Sequence, residues 1–484
     1  MKKMLINALY PEEIRVALVE DSRLVGLLLE STLSEELRGS IFKGRIAKVH
    51  QGLNAFFVDY GRPRHGLLPM GDVRPGSVPG LEPGVPASAC VRAGMEILVQ
   101  VVREEMGDKG ALLTTDISLP GRFLVLLPGQ ETSGVSRKIE DARQRLRLRT
   151  LIEQIRPPEG MGVIVRTAGM DRTKSELLGD LSYLVKVWRT IKERFTAMKS
   201  PGVIYREGDV IVRALRDHLS ADTEEILVDD DEAMARVVSF LKDVMPSMAG
   251  IVRPYRQLRP IFAKYDLEKQ IESVFEPTVR LPGGGSIVIE PTEAMVVIDV
   301  NSGHTNASSM EETALETNLE AASEIARQLV LRDLGGLVVV DFIDMRSREN
   351  IKAVEKAMRE ALRKDRARVV VGRLSKFGIL ELSRERLAPP LWGKTHARCG
   401  RCGGTGIVRS TASAGIQALR EMRLHLSRKK ADRLEVSLPH DVCMWLLNEH
   451  RAHIARLEEE FSVKIVVTSG TKRDSSETRV AHPA

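Results

Sequence analysis

Two acids stand at the ends of short apolar runs. Residues 294–301 read Ala-Met-Val-Val-Ile-Asp-Val-Asn, ending in Asp299 and Asn301, and residues 337–342 read Leu-Val-Val-Val-Asp-Phe, which places Asp341. An apolar strand gains nothing from a terminal carboxylate, so such an acid points to a site where a buried sheet meets solvent. A helix between the runs would return the chain and set the strands side by side, letting both carboxylates share one divalent cation. Hard oxygen ligands suit Mg²⁺, which takes one or two carboxylates and keeps several waters. An ion held in this way activates water and neutralises charge on a phosphodiester. Asn301 is two residues past Asp299 and faces the same way, so its amide can aim that carboxylate. Asp344, three residues past Asp341, is expected to point elsewhere as a cap or turn residue. The competing assignment is structural: each acid caps the helix that follows it.

Other residues carry binding chemistry. Cys399-Gly-Arg-Cys402 sits in a glycine-rich connector and has the form of a metal knuckle. Structural zinc needs four ligands, and there is no second CxxC. His396 with another local group, Cys90 or Cys443, or the same pair from a second chain could complete it; the last forces a symmetric dimer. Phe56 and Phe57 are neighbours on a strand, so one should face outward. With Lys43, Arg45 and Lys109 nearby, an outward ring suits single-stranded nucleic acid. Residues 162–169 end a strand in Arg166-Thr167 and small residues, a guanidinium, a hydroxyl and open backbone N–H groups suited to a phosphate.

The elements that must position these groups follow from patterning. At 484 residues the chain suggests three or four domains, and 43% hydrophobic content supplies real cores, aliphatic ones since aromatics are 4%. Residues 1–35 alternate as a hairpin too small to stand alone. Residues 38–116 hold five or so short strands, a small closed barrel, interrupted by a Pro/Gly-rich stretch at 74–90 with no periodicity. In 117–211 a helix with Leu178, Leu181, Val185, Trp188, Ile191 and Phe195 is expected to bury one face. Residues 276–396 alternate strand, helix, strand, helix, strand, which predicts parallel neighbours. A polar end from 471 is expected to be disordered.

The net charge of +6 permits a polyanionic partner. Basic residues cluster at Arg137–Arg149 and Arg420–Arg433, as a nucleic-acid surface or as solvated helix faces. No leader-like apolar stretch and no 18-residue apolar span occur, and the sparse cysteines suit a reducing, cytoplasmic setting.

Together these residues resemble the ribonuclease E/G family of bacterial endoribonucleases. The resemblance is carried by Lys43-Gly44-Arg45, residues 57–61 (Phe-Val-Asp-Tyr-Gly), 159–169 (Glu-Gly-Met-Gly-Val-Ile-Val-Arg-Thr-Ala-Gly), 298–302 (Ile-Asp-Val-Asn-Ser), 318–322 (Asn-Leu-Glu-Ala-Ala), 325–329 (Ile-Ala-Arg-Gln-Leu), 341–345 (Asp-Phe-Ile-Asp-Met) and the CxxC, and it runs to about residue 410. With no long C-terminal scaffold, the chain is most like the ribonuclease G type or a short ribonuclease E.

The resemblance implies an α/β multidomain fold. Residues 1–35 plus 212–275 would form a non-catalytic RNase H-like domain, 36–116 an inserted S1 (OB-type) β-barrel, and 117–211 a 5′-sensor region. Residues 276–396 would be a DNase I-like catalytic domain, 397–410 a zinc link, 411–470 a small α/β C-terminal domain and 471–484 a disordered tail. It implies catalytic Mg²⁺ on Asp299 and Asp341 with Asn301 orienting the first. It implies a 5′-monophosphate pocket from Gly121, Val125, Arg137, Arg166 and Thr167, and RNA contacts at Phe57 and Lys109. It also implies structural Zn²⁺ shared through Cys399 and Cys402 by a homodimer, with a tetramer as a dimer of dimers. The activity it implies is cleavage of single-stranded RNA in rRNA maturation, RNA processing and mRNA decay, favouring 5′-monophosphorylated substrates and leaving 5′-phosphate and 3′-hydroxyl ends. One departure is Leu67, where the family has an aromatic. Two other classes compete: a non-catalytic S1-type RNA-binding protein, which needs the barrel but not the acids, and a phosphoesterase acting on DNA or small phosphates, which needs the acids but not the barrel.

Overall fold

The computed structural model describes residues 1–484 except 32–36, 79, 83, 106–109, 140, 208, 304–308, 364, 388–389, 398, 429–431, 471–478 and 482–484. Two compact units divide the chain, Met1–Lys394 and Thr395–Ala484.

The first unit is mixed α/β with several sheets. Strands Lys2–Asn7, Glu13–Glu20 and Arg23–Ser31 form a meander that pairs in parallel with Thr223–Val228, which in turn pairs with Val252–Pro254. The N-terminal hairpin thus buries its apolar faces against residues far along the chain.

Ile41–His50, Ala55–Asp59, Gly66–Pro69, Leu112–Thr114 and Glu96–Arg103 close on themselves as an OB-like five-stranded barrel, with Gly202–Tyr205 added outside. The Pro/Gly-rich stretch is more than a loop. Val78, Leu81 and Ala87 from it are buried in the barrel core, and Arg74 pairs with Asp116 at 2.7 Å. Its prolines and glycines hide a packing role because no period marks those apolar residues.

The long helix Lys174–Ala197 buries Leu177, Asp180, Leu181, Leu184 and Ile191, while Leu178 faces out. The expected stripe is therefore shifted at its start, because the helix also buries a carboxylate, Asp180. That carboxylate accepts hydrogen bonds from the backbone of Arg122, Phe123 and Leu124 at 3.0, 2.7 and 2.8 Å.

The sheet that carries the acids has the order Thr278–Arg280, Ser286–Pro291, Met295–Asn301, Gly336–Asp341, Ile379–Arg384, Val369–Leu374. Only Met295–Asn301 and Gly336–Asp341 are parallel neighbours, linked by the helix Met310–Leu331. The expected third parallel strand, Val369–Leu374, moves to the sheet edge. A tight turn at 375–378 sends Ile379–Arg384 back antiparallel, between it and Gly336–Asp341. The linking helix ends at Leu331, and Gly336 (φ +101°) opens the next strand.

In the second unit, Arg433–Leu438 pairs in parallel with Lys464–Ser469 and antiparallel with Arg479–Ala481, beside helices Thr411–Arg428, His440–Asn448 and Arg451–Phe461. Part of the tail expected to be disordered is thus a strand. The rest of it, 471–478 and 482–484, lies outside the described residues.

Candidate active site and nucleic-acid interface

Asp299 and Asp341 are direct partners in the parallel ladder, so their side chains leave the same face of the sheet. Val296, Ile298 and Val300 point into the core, while Asp299 and Asn301 are exposed on the opposite face, as is Asp341 on its strand. Asn301 Nδ2 donates to Asp299 Oδ2 at 2.8 Å, the orienting bond that their spacing allows.

The capping alternative fails. Ser309 caps the helix Met310–Leu331 and Ser347 caps Arg348–Leu362, so neither acid is consumed by a helix start.

Asp344 does not cap the helix Arg348–Leu362, whose cap is Ser347, and lies in the loop before it. A Cβ built at Gly378 would sit 3.1 Å from Asp344 Oδ1 and 3.9 Å from Asp341 Oδ1, so both carboxylates lie over this glycine. The cause is the path of residues 342–347, fixed from the helix behind it. Buried Asn318 donates to the Ile343 carbonyl at 2.8 Å and accepts from the Ile343 N–H at 3.1 Å. Glu311 accepts from the backbone N–H of Arg346 and Ser347 at 3.0 Å, and those N–H groups hold its carboxyl below the usual range. No group of three or more His, Cys, Asp or Glu gathers as a metal cage among the described residues. Two adjacent carboxylates with hard oxygens still fit Mg²⁺, which binds through one or two carboxylates plus water.

On the barrel, Phe56 is buried and Phe57 half-buried, its ring edge-on to His50 with centroids 6.1 Å apart. Leu67 is the cross-strand partner of Phe57. Arg45 is exposed, whereas Lys43 is not available to a ligand. Its ammonium is buried, 2.7 Å from Glu96 and 2.7 Å from the Met198 carbonyl. Lys109 lies outside the described residues.

The expected phosphate-pocket residues lie on adjoining backbone. Val125 pairs with Ile164, the Arg166 N–H bonds to the Phe123 carbonyl at 2.8 Å, and Ser136, just before exposed Arg137, bonds to Val165 at 2.8 Å. Thr167 is exposed at the start of a short turn. Gly121 has no side chain because the Asp180 carboxylate fills that space, 2.6 Å from where a Cβ would stand. The Arg166 guanidinium is already engaged: it donates to the Gly121 carbonyl and to Asp217 Oδ1, the latter at 2.9 Å. Asp217 also pairs with Arg216 at 3.1 Å and Arg366 at 3.0 Å. Burial opposes its charge, but Arg216, then Arg366 and Arg166, hold the carboxyl far below the usual range.

In the second unit Cys399 is exposed, Cys402 half-buried, and both are free thiols. The backbone N–H groups of Cys402 and Arg401 lower the Cys399 thiol, which favours the thiolate that binds zinc. No group of three His, Cys, Asp or Glu forms around them among the described residues.

Beyond geometry, a model of the Ribonuclease E/G family matches residues 118–387, more than half of the chain, and a model of the family's thioredoxin-like domain matches 398–482. The chain belongs to the ribonuclease E/G family. It is 44% identical to ribonuclease E of Haemophilus influenzae over 472 residues, covering 96% of this chain and 50% of that protein. It is 43% identical to ribonuclease E of Escherichia coli, covering 95% and 44%. With ribonuclease G of Escherichia coli the identity is 34%, covering 87% and 88%. The chain thus spans about half the length of the ribonuclease E relatives, with which it shares the higher identity. Within this ribonuclease E/G chain, spacing alone gave no sign of Asn318, Glu311, Gly378 or Asp217, each of which has a partner 25 or more residues away. No helix of the described residues is long and apolar enough to cross a membrane.

Proposed function

We propose that the chain is a magnesium-dependent endoribonuclease that cuts single-stranded RNA in rRNA maturation, RNA processing and mRNA decay, leaving 5′-phosphate and 3′-hydroxyl ends. The observation that carries this reading is the register pairing of Asp299 with Asp341, with Asn301 hydrogen-bonded to the first, in a ribonuclease E/G chain. Asp299 and Asp341 would hold the ion. When bound, Mg²⁺ supplies an activated water and neutralises charge on the scissile phosphate. Asn301 keeps the Asp299 carboxylate aimed. Asn318 and Glu311 fix the loop that follows Asp341, so neither acid has to reorganise.

On this reading, segments 1–35 and 212–275 are RNase H-like support, 36–116 an S1 RNA-binding domain, 117–211 the 5′-sensor and 276–396 the DNase I-like catalytic domain. Phe57 would stack a base, with Lys109 among the same contacts, and weak sequence preference should follow. Gly121, Val125, Arg137, Arg166 and Thr167 would read a 5′-monophosphate, Arg166 by shifting from Asp217 to the phosphate. Cys399 and Cys402 would share Zn²⁺ with the same pair of a second copy, making a homodimer that can pair into a tetramer. The setting would be cytoplasmic.

Incubation with single-stranded RNA and DNA, each with magnesium or EDTA, tests the reading. RNA cut only with magnesium supports it. Binding without cleavage would favour an RNA-binding protein, and equal cutting of DNA a general phosphoesterase.

A further inference from the structure

We propose that Phe377 is a base-stacking platform that seats the nucleotide flanking the scissile phosphodiester. This rests on the nuclease reading above and adds a substrate subsite to it.

Phe377 is 68% exposed at the tip of the turn between Val369–Leu374 and Ile379–Arg384. Exposure of one ring is ordinary by itself; its place, on a turn hydrogen-bonded to the strand that carries Asp341, is what singles it out. This turn is rigid. Ser375 N–H bonds to the Ile379 carbonyl at 2.8 Å, Gly378 N–H to the Ser375 carbonyl at 3.2 Å, and Phe377 N–H to Ser375 Oγ at 3.2 Å. The turn is also tied to the acids. Phe342 N–H bonds to the Gly378 carbonyl at 3.1 Å, Ile379 is the ladder partner of Asp341, and Gly378 lies under the Asp341 and Asp344 carboxylates. Phe377 therefore directly precedes a glycine whose Cβ position would lie 3.9 Å from Asp341, one of the two candidate metal ligands.

The surroundings suit one chemistry. Lys376 Nζ lies 4.9 Å from the ring centroid, which occupies one face of the ring and leaves the other for a base. Arg373 on the same hairpin and Arg346 after Asp344 are exposed cations. An aromatic face flanked by cations is what single-stranded nucleic acid takes, since every base has a π-face and every linkage a charge. A protein partner would find acids, cations and one ring, with no continuous apolar patch in the turn.

The test uses the full chain. Phe377→Ala should lower kcat/KM on a single-stranded oligoribonucleotide about ten-fold, leave the melting temperature unchanged, and be rescued by Phe377→Trp but not by Phe377→Leu. In EDTA, the emission of Phe377→Trp, minus that of the wild type, should change on adding the oligoribonucleotide. Removing the base that flanks the cut should slow the wild type to the rate of Phe377→Ala and leave Phe377→Ala unaffected. Wild-type cleavage beside an unaffected Phe377→Ala overturns this inference alone, as does full rescue by leucine. A difference emission of Phe377→Trp that follows protein concentration instead of RNA also overturns it, since the ring then packs on another copy. A wild type that leaves RNA intact overturns the nuclease reading and this subsite together.

Discussion

Asp299 and Asp341 are register partners on adjacent parallel strands, and no helix uses either as a cap. Two carboxylates that leave one exposed face of the sheet side by side offer hard oxygen ligands to a single cation. Asp299→Asn and Asp341→Asn should each lower RNA cleavage by more than about 100-fold while RNA binding persists. Gel assays and filter binding in parallel check this, and calorimetric Mg²⁺ binding should be lost in the double substitution. Turnover retained in the double substitution would remove both acids from the mechanism.

Gly378 sits at φ +76°, where a Cβ would stand 3.0 Å from the Phe342 carbonyl and 3.1 Å from Asp344 Oδ1. Gly378→Ala should cost about 1–2 kcal/mol in stability and displace the carboxylates above it. Cleavage should fall well beyond what the loss of folded protein explains. Denaturant titration beside a rate measurement separates the two effects.

Arg166 is one of the two arginines of the proposed 5′-phosphate pocket, and its guanidinium bonds to Asp217. Arg166→Ala should slow cleavage of 5′-monophosphorylated RNA and leave 5′-hydroxyl RNA nearly unchanged. Equal slowing of both substrates would reduce Arg166 to its structural pairing with Asp217.

Asp217 collects three arginines, with its own side chain 5% exposed. Asp217→Asn should destabilise the protein by about 3–5 kcal/mol, because it takes from Arg166 and Arg366 their shared counter-charge, Arg216 keeping Glu207. The folded carboxyl is held below its unfolded value, near 3.9 for an ordinary aspartate. Its stabilisation is therefore complete above that value and lost only as pH falls through the lower folded one. Melting temperatures of wild type and Asp217→Asn should differ by a constant amount across neutral pH and converge only in strong acid.

For the cysteines, Cys399→Ser with Cys402→Ser should lower bound zinc and split the dimer. Light scattering and metal analysis check both at once. A dimer that survives zinc removal would refute the shared site.

Much of the site was legible in the chain because strands have a period of two and end where polarity changes. Asp299, Asn301 and Asp341 could be placed on one face of adjacent strands from spacing alone, and the alternation of residues 38–116 marked the barrel. Local pattern also decided that Phe56 and Phe57 part ways. Only the tertiary structure decided that Asn318 and Glu311 hold the loop after Asp341, that Lys43 is buried against Glu96, and that Arg166 is held by Asp217. Each of these depends on a partner far away in sequence. A hydrogen bond or ion pair across such a distance leaves no periodic mark, because it needs one residue in one place and not a repeated pattern. The hairpin turn at 375–378 shows the limit most plainly. Its sequence says that the chain reverses, and only the fold shows that the reversal brings Gly378 against the end of the strand that carries Asp341.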